Sequence, residues 1–392
     1  MKRVLFVDDD RNVLQGMRRM LRSLRREWEM DFAESGPDAL EYLATGTYDV
    51  VVTDMRMPGM DGSQLLNEVL RLYPSTGRIV LSGQCDRETV LRCVEPAHQF
   101  LTKPCDSDTL KSTVGRACSL RDQLVDHWRK CIVSSVTSLP SRPAVYDELV
   151  AELKSPKASI ERVADIIPKD VAMTAKTLQL VSSSFFGTPQ RLSDGAAVVT
   201  MLGLDTIRLL VFSSKAFTPM EGSDPECRSL DLLVEHSRLV AEGARAIAEA
   251  ETDDRVVVGD AYLAGFLHDA GILSLARPHD QHPPQLFCEA ETMSFGVTHA
   301  EAGAYLMALW GLPDPIVRAV AHHHSPNDNP GDCFTPLAAV HVANAVLEEE
   351  TFDRLGLDSP IDFEYLVRIG CAERLDVWRK LCETAKLQGA TT

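Results

Sequence analysis

The 392-residue sequence predicts a two-part protein: a doubly wound α/β domain with a parallel five-stranded sheet, followed by an all-α helical bundle. Three observations predict it. Over the first 120 residues or so, short apolar stretches alternate with segments of helical periodicity, the pattern of strands joined by crossover helices. Beyond Pro140 and Pro143 apolar residues recur at three- and four-residue spacing, with no strand-rich stretch between them. The length, at roughly 100–200 residues per domain, calls for two or three domains.

The five expected strands are Val4–Asp8, Asp31–Ser35, Val50–Asp54, Ile79–Gly83 and Gln99–Lys103, with helical stretches such as Val13–Leu24 and Gly62–Tyr73 between them. In such a sheet, chemistry gathers outside the carboxyl ends of the strands. The unusual residues fall there: Asp8-Asp9-Asp10 after the first strand, Asp54 after the third, Ser82 after the fourth and Lys103-Pro104 after the fifth. Several carboxylates converging on one crevice repel each other unless a cation sits among them. An all-oxygen set suits Mg²⁺, with Asp9 and Asp54 the natural ligands. With a lysine and a hydroxyl from neighbouring strands this becomes a phosphoryl-transfer site with an aspartate as nucleophile.

In combination, Val7-Asp8-Asp9-Asp10, Thr53-Asp54-Met55-Arg56-Met57-Pro58-Gly59-Met60-Asp61-Gly62, Leu81-Ser82-Gly83 and Phe100-Leu101-Thr102-Lys103-Pro104 resemble the receiver domain of two-component response regulators, over residues 1–122. The resemblance implies strand order 2-1-3-4-5 and Asp54 as phosphoacceptor. It also implies Asp8 and Asp9 as the acidic pair, Mg²⁺ held by Asp8, Asp9, Asp54 and the Arg56 backbone carbonyl, Ser82 as switch hydroxyl, Phe100 as switch aromatic and Lys103 as the site lysine. A sensor histidine kinase is then the expected partner, and self-association through the face beside Phe100 is expected to respond to phosphorylation. Asp8-x-Asp10, Ser82 and Lys103 also mimic haloacid-dehalogenase-like phosphatases. Asp54 decides against that family, whose pattern has no use for it.

Residues 123–137 read as a connecting helix or linker. A break at Thr137–Pro143 follows, because two prolines within four residues end a helix. The second domain, 138–345, is expected to hold helices over Asp165–Val181, Asp194–Leu202, Asp205–Phe212, Leu230–Ala250 and Asp260–Leu275. Thr298 with Glu301 forms a capping box, and Asp314-Pro315 starts a later helix. A tail, 346–392, has amphipathic stretches around Tyr365 and Trp378 that pack on the bundle or mediate association.

Histidines are the conspicuous chemistry of this half: His236 within a helix, His268-Asp269 at a helix end, His299 in a first turn, and His322-His323-His324 at another helix end. Histidines and an aspartate brought together by bundle packing are ligand types for a transition-metal pair. Their order resembles the HD superfamily of metal-dependent phosphohydrolases, which implies His236, His268, Asp269, His299, His322 and His323 as metal ligands, for an ion of the iron, manganese, zinc or nickel class. Ile272 stands where a lysine is usual, and Asn344 where that family has its last metal-binding aspartate. A closer resemblance, over about 130–345, is to the HDOD domain. It rests on Leu139-Pro140-x-x-Pro143, Ile166-Ile167-Pro168-Lys169-Asp170, Leu180–Gly187, Met201-Leu202-Gly203 and Gly265–Gly271. It implies a non-catalytic output that binds a protein or nucleotide partner. The alternatives are a phosphohydrolase of (cyclic) nucleotides, or a metal kept as a structural clamp.

Composition bounds the partners. Apolar residues make up 45% and charged residues 25%, ordinary for a globular protein. The net charge of −17 is uneven: residues 1–124 carry 17 basic and 19 acidic side chains, the remainder 23 and 38. So acidic a second half repels a phosphate backbone and argues against direct DNA binding. The Arg18, Arg19, Arg22, Arg25 and Arg26 run reads as a solvated helix face. No apolar run is expected to cross a membrane, the N-terminus lacks a signal-peptide pattern, and ten isolated cysteines read as reduced thiols, so a cytoplasmic location is expected.

Overall fold

A computed structural model describes residues 1–83, 93–123, 136, 139–183, 195–212, 217–220, 224–275, 296–351 and 360–389. The expected linker is almost wholly outside these residues, as are Ser184–Gly187 of the second domain's motif.

In the N-terminal unit, strands β1 (Lys2–Val7), β2 (Trp28–Ala33), β3 (Val50–Thr53), β4 (Gly77–Ser82) and β5 (Gln99–Thr102) form one parallel sheet in the order β2-β1-β3-β4-β5. Every residue of β3 and β4 is buried, as continuous apolar runs demand in a sheet covered on both faces. Helices α1 (Arg11–Met20), α2 (Gly36–Thr45), α3 (Gly62–Leu72) and α4 (Ser107–Gln123) supply the cover. Most bounds move by one or two residues, and two move further. The first helix gives way to a 3₁₀ turn, Leu21–Arg26, that buries Leu21 and Leu24, and its arginines are exposed. Strand β2 begins three residues early because Asp31, a poor strand former, is held by Arg3 Nη2 (3.2 Å) and the Tyr48 hydroxyl (2.6 Å).

The C-terminal unit is helical: α5 (Pro143–Lys154), α6 (Ile160–Ile166), α7 (Val171–Val181), α8 (Gly195–Leu202), α9 (Leu204–Phe212), α10 (Asp224–Glu251), α11 (Arg255–Leu267), α12 (Ala270–Leu275), α13 (His299–Leu309), α14 (Asp314–His322) and α15 (Pro336–Thr351). The stretch expected as one helix over 165–181 is split by Pro168, which sits in a 3₁₀ turn. Asp170 then caps α7 by accepting the Met173 N–H at 2.8 Å. The stretch expected over 260–275 is split at His268-Asp269, where His268 Nδ1 donates to the Gly265 carbonyl at 2.7 Å. A two-residue parallel pair, β6 (Pro140–Ser141) with β7 (Thr218–Pro219), is too short to leave a periodic signal and was not expected.

The tail folds onto the bundle as α16 (Phe363–Arg368) and α17 (Leu375–Gly389). Trp378 is fully buried, and its indole N–H donates to Glu251 Oε1 at 2.8 Å beside Arg374 Nε at 2.6 Å. Contrary to the sequence expectation, segment 255–275 is long and apolar enough to cross a membrane by length and composition. In the fold 78% of that window is buried inside the bundle.

The two units meet along β5 and α4. Gln99 Nε2 donates to the Leu309 carbonyl (2.9 Å), Gln179 Nε2 to the Ala97 and His98 carbonyls (3.1 and 3.0 Å), and Lys176 Nζ to the Val94 carbonyl (2.9 Å). All three side chains are buried. The face beside Phe100, expected to serve self-association, is therefore occupied by α7 and α13 of the same chain.

Candidate functional site

The first site lies at the carboxyl edge of the sheet. Asp8 is buried; its Oδ1 accepts the Asp10 N–H (3.0 Å) and its Oδ2 meets Lys103 Nζ at 2.5 Å. Lys103 Nζ also contacts Asp54 Oδ1, while Asp54 Oδ2 accepts the Arg56 N–H at 2.6 Å. Burial opposes the Lys103 ammonium, but its hydrogen bonds to Asp54 and Asp8 hold its pKa above the ordinary value. Asp9 is exposed at the rim. Asp10 is spent as the N-cap of α1, taking the Asn12 N–H at 2.8 Å. The loop after Asp54 folds back so closely that a Cβ on Gly62 would lie 2.3 Å from the Asp54 carbonyl oxygen, and Asp61 with Gln64 closes it with a capping box. Ser82 and Phe100, on neighbouring strands, are both buried. A donor set of carboxylates and a backbone carbonyl fits Mg²⁺.

The second site is a knot of imidazoles in the bundle. Asp269 is buried between two groups of histidines. Its Oδ1 faces His299 Nε2 (3.3 Å) and His323 Nε2 (3.7 Å), and its Oδ2 faces His268 Nε2 (3.1 Å) and His236 Nε2 (3.9 Å). His324 Nε2 lies 3.1 Å from His299 Nε2. Asn344 Oδ1 takes His236 Nε2 at 2.8 Å. His322, expected in the set, lies outside it: successive residues at the end of α14 point in different directions, and His323 and His324 are the two that face Asp269. The run of three histidines was the signal; its phase was not readable.

Burial pushes His324 down to about 3 and His236 to about 4, helped by neighbouring histidines, and holds His323 well below its usual value. Burial works against the Asp269 carboxylate too, but His268 and His299 hold its pKa well below the usual range. Burial likewise disfavours the His268 imidazolium, yet Asp269 raises its pKa. Behind the knot a Cβ on Gly271 would lie 1.9 Å from the His299 carbonyl oxygen, so only glycine lets α12 approach α13. His341, a residue the sequence did not single out, bridges the His323 carbonyl (2.7 Å) and the Asp362 N–H (2.9 Å), tying the tail to the knot.

The family model described as "Response regulator receiver domain" matches residues 4–115, and the one described as "HDOD domain" matches residues 139–326. An uncharacterized protein of Treponema pallidum (strain Nichols) is 25% identical over 229 residues, which are 55% of this chain and 43% of that protein. Transcriptional regulatory protein GlrR of Escherichia coli (strain K12) is 32% identical over 133 residues, 33% of this chain and 30% of that one. This chain thus spans less than half the length of either relative. Among solved structures, the signal receiver domain of an HD domain-containing protein from Pseudomonas fluorescens Pf-5 has 29% identity and a TM-score of 0.30, covering 31% of this chain and 98% of that one. Residue patterns, sheet order and both matches agree: this chain joins a response regulator receiver domain to an HDOD domain.

Proposed function

We propose that the protein is a phosphorylation-controlled binding switch: a sensor histidine kinase phosphorylates Asp54, and the HDOD domain changes its binding of a protein or nucleotide partner in response. The observation that carries this reading is Lys103 Nζ resting against Asp8 and Asp54 at once, with Asp54 at the open end of the sheet. An Asp54 oxygen attacks the phosphorus of the kinase's phosphohistidine; the O–P bond forms as the N–P bond breaks, and the imidazole departs and takes up a proton. Lys103 draws charge from the transferring phosphoryl oxygens and orients the nucleophile. Asp8, Asp9, Asp54 and the Arg56 carbonyl would hold Mg²⁺, which would supply further offset of that charge.

The product places about −1.5 to −2 charges on the phosphoryl group where the Asp54 carboxylate carried about −1. Ser82 and Phe100 are the residues that respond, and Phe100 adjoins Gln99, the β5 residue that holds the Leu309 carbonyl. Asp54 is thereby connected to the seam between the domains, and self-association through β5 competes with docking inside the chain. Incubation with acetyl phosphate and Mg²⁺ yields an acid-stable, base-labile phosphoprotein and changes hydrogen exchange at 176–179 and 308–311. Full labelling in Asp54→Asn would overturn the assignment.

A second reading, hydrolysis of a nucleotide phosphoester by the HDOD half, is favoured by the convergence of imidazoles on Asp269. Buried, apolar Ile272 and the neutral Asn344 weigh against it. Turnover of cyclic dinucleotides that disappears in His268→Ala/Asp269→Ala would establish it.

A further inference from the structure

We infer that the Asp54 site has its own line to α7 of the HDOD domain, separate from Phe100 and Gln99: Met55 and Cys93 position the turn 93–98, whose carbonyls Lys176 and Gln179 hold. The connection rests on the phosphorylation reading of Asp54 and adds the route by which α7 senses it.

The line begins beside the phosphoacceptor. Met55 follows Asp54 directly, and its carbonyl accepts the Gly62 N–H at 3.0 Å, so it belongs to the loop that closes over the site. Its side chain is buried, and the Cys93 thiol donates to its Sδ at 3.3 Å. The Ser63 hydroxyl, in the first turn of α3, donates to the same cysteine sulfur. Cys93 and Val94 are fully buried. Interiors are close-packed, so a displaced Met55 side chain has no solvent to move into and pushes on its neighbours.

The line ends on carbonyls. One residue after Cys93, the Val94 carbonyl accepts Lys176 Nζ at 2.9 Å, and the Ala97 and His98 carbonyls accept Gln179 Nε2 at 3.1 and 3.0 Å. The turn is itself braced: the Ala97 N–H donates to the Cys93 carbonyl (2.9 Å) and Arg78 Nε to the Pro96 carbonyl (2.5 Å), so it shifts as one piece. Lys176 and Gln179 lie three residues apart, on one face of α7. Hydrogen bonds weaken steeply away from their preferred geometry, so a small rotation of the turn alters both side chains' bonds together. Gln99, by contrast, reaches the Leu309 carbonyl of α13. The two lines end on different helices.

Hydrogen exchange of the full chain, with and without acetyl phosphate and Mg²⁺, reads both ends at once. In the native chain the phosphodonor changes exchange at 176–179 and at 308–311. In Met55→Leu, which keeps the volume without the sulfur, and in Cys93→Ala, labelling of Asp54 is unchanged and 308–311 still responds. The response at 176–179 falls about threefold or more. Cys93→Ser, which keeps a donor toward Met55, retains the native response. A merely structural contact would shift exchange in both states alike and leave the phosphodonor difference intact; that result, or equal loss at both segments, overturns the proposal. A second arm needs no phosphate. Met55→Ala, whose cavity loosens Cys93, is expected to raise exchange at 176–179 about threefold or more and leave 308–311 unchanged, with Cys93→Ala taking its place if that variant unfolds. If the native chain takes no label, the phosphorylation reading fails, and this arm alone decides the link: unchanged exchange at 176–179 refutes it.

Discussion

Lys103 stands between two carboxylates from different strands, and its removal leaves them facing each other across a partly buried crevice. Breaking such a pair from one side costs about 3 kcal/mol, because the remaining charge stays uncompensated. Lys103→Met is therefore expected to lower thermal stability at neutral pH, and Mg²⁺ to raise the melting temperature of the variant more than that of the native chain. Equal Mg²⁺ shifts in both would show that lysine and metal do not share the same carboxylates. At this scale the receiver's chemistry was legible, because each site residue follows its strand directly and the sheet brings strand ends together whatever the loops do. The histidine knot was legible only in kind. His322, His323 and His324 are adjacent in sequence, yet a helix turns about 100° per residue, so which two face Asp269 depends on the exit of α14.

Between elements, the sharpest constraint is the crossing of α12 and α13 at Gly271, where a methyl group would lie 1.9 Å from the His299 carbonyl oxygen and 2.7 Å from the Gly303 nitrogen. Both contacts are backbone, so neither can swing aside. Gly271→Ala is expected to cost about 3 kcal/mol or more by overpacking and to displace His299. Gly115→Ala is the matched control: nothing lies within 4 Å of its added carbon, so it gains roughly 0.5–1 kcal/mol of helix propensity. Chemical denaturation of both variants checks the contrast, and comparable destabilisation would refute the crossing argument. Helices with apolar periodicity and caps were foreseen, such as α13 with its Thr298–Glu301 box. The break at Pro168 was not, since periodicity runs straight through it; His268-Asp269 was read as a helix end and α11 does stop there, but the span expected through Leu275 ran past that stop.

For the whole molecule, the seam between receiver and HDOD domain decides how one half feels the other, and nothing in the sequence marked Gln99, Gln179 or Lys176 as its members. Each reads as an ordinary polar residue, yet all three are buried at the seam. Lys176 is the most consequential: its Nζ donates to the Val94 carbonyl, 5.3 Å from the centre of the Trp310 ring. Burial lowers its pKa to about 7, with Arg78 acting in the same direction and Glu95 against it. An exposed lysine keeps its proton to about pH 10.4. Between pH 7 and that value the undocked state therefore binds a proton that the docked state lacks. Docking accordingly strengthens as pH rises through this window, by up to about 1.4 kcal/mol per pH unit, and below pH 7 both states carry the proton and the slope vanishes. Energy transfer between dyes on α2 and α17 should report a rising docked fraction from pH 7 to 9 in the native chain. In Lys176→Met, which keeps the unbranched stem without the amine, that rise should flatten. A variant that retained the native slope would place the titrating group elsewhere, and a docked fraction that fell with pH would reverse the sign derived from burying an amine.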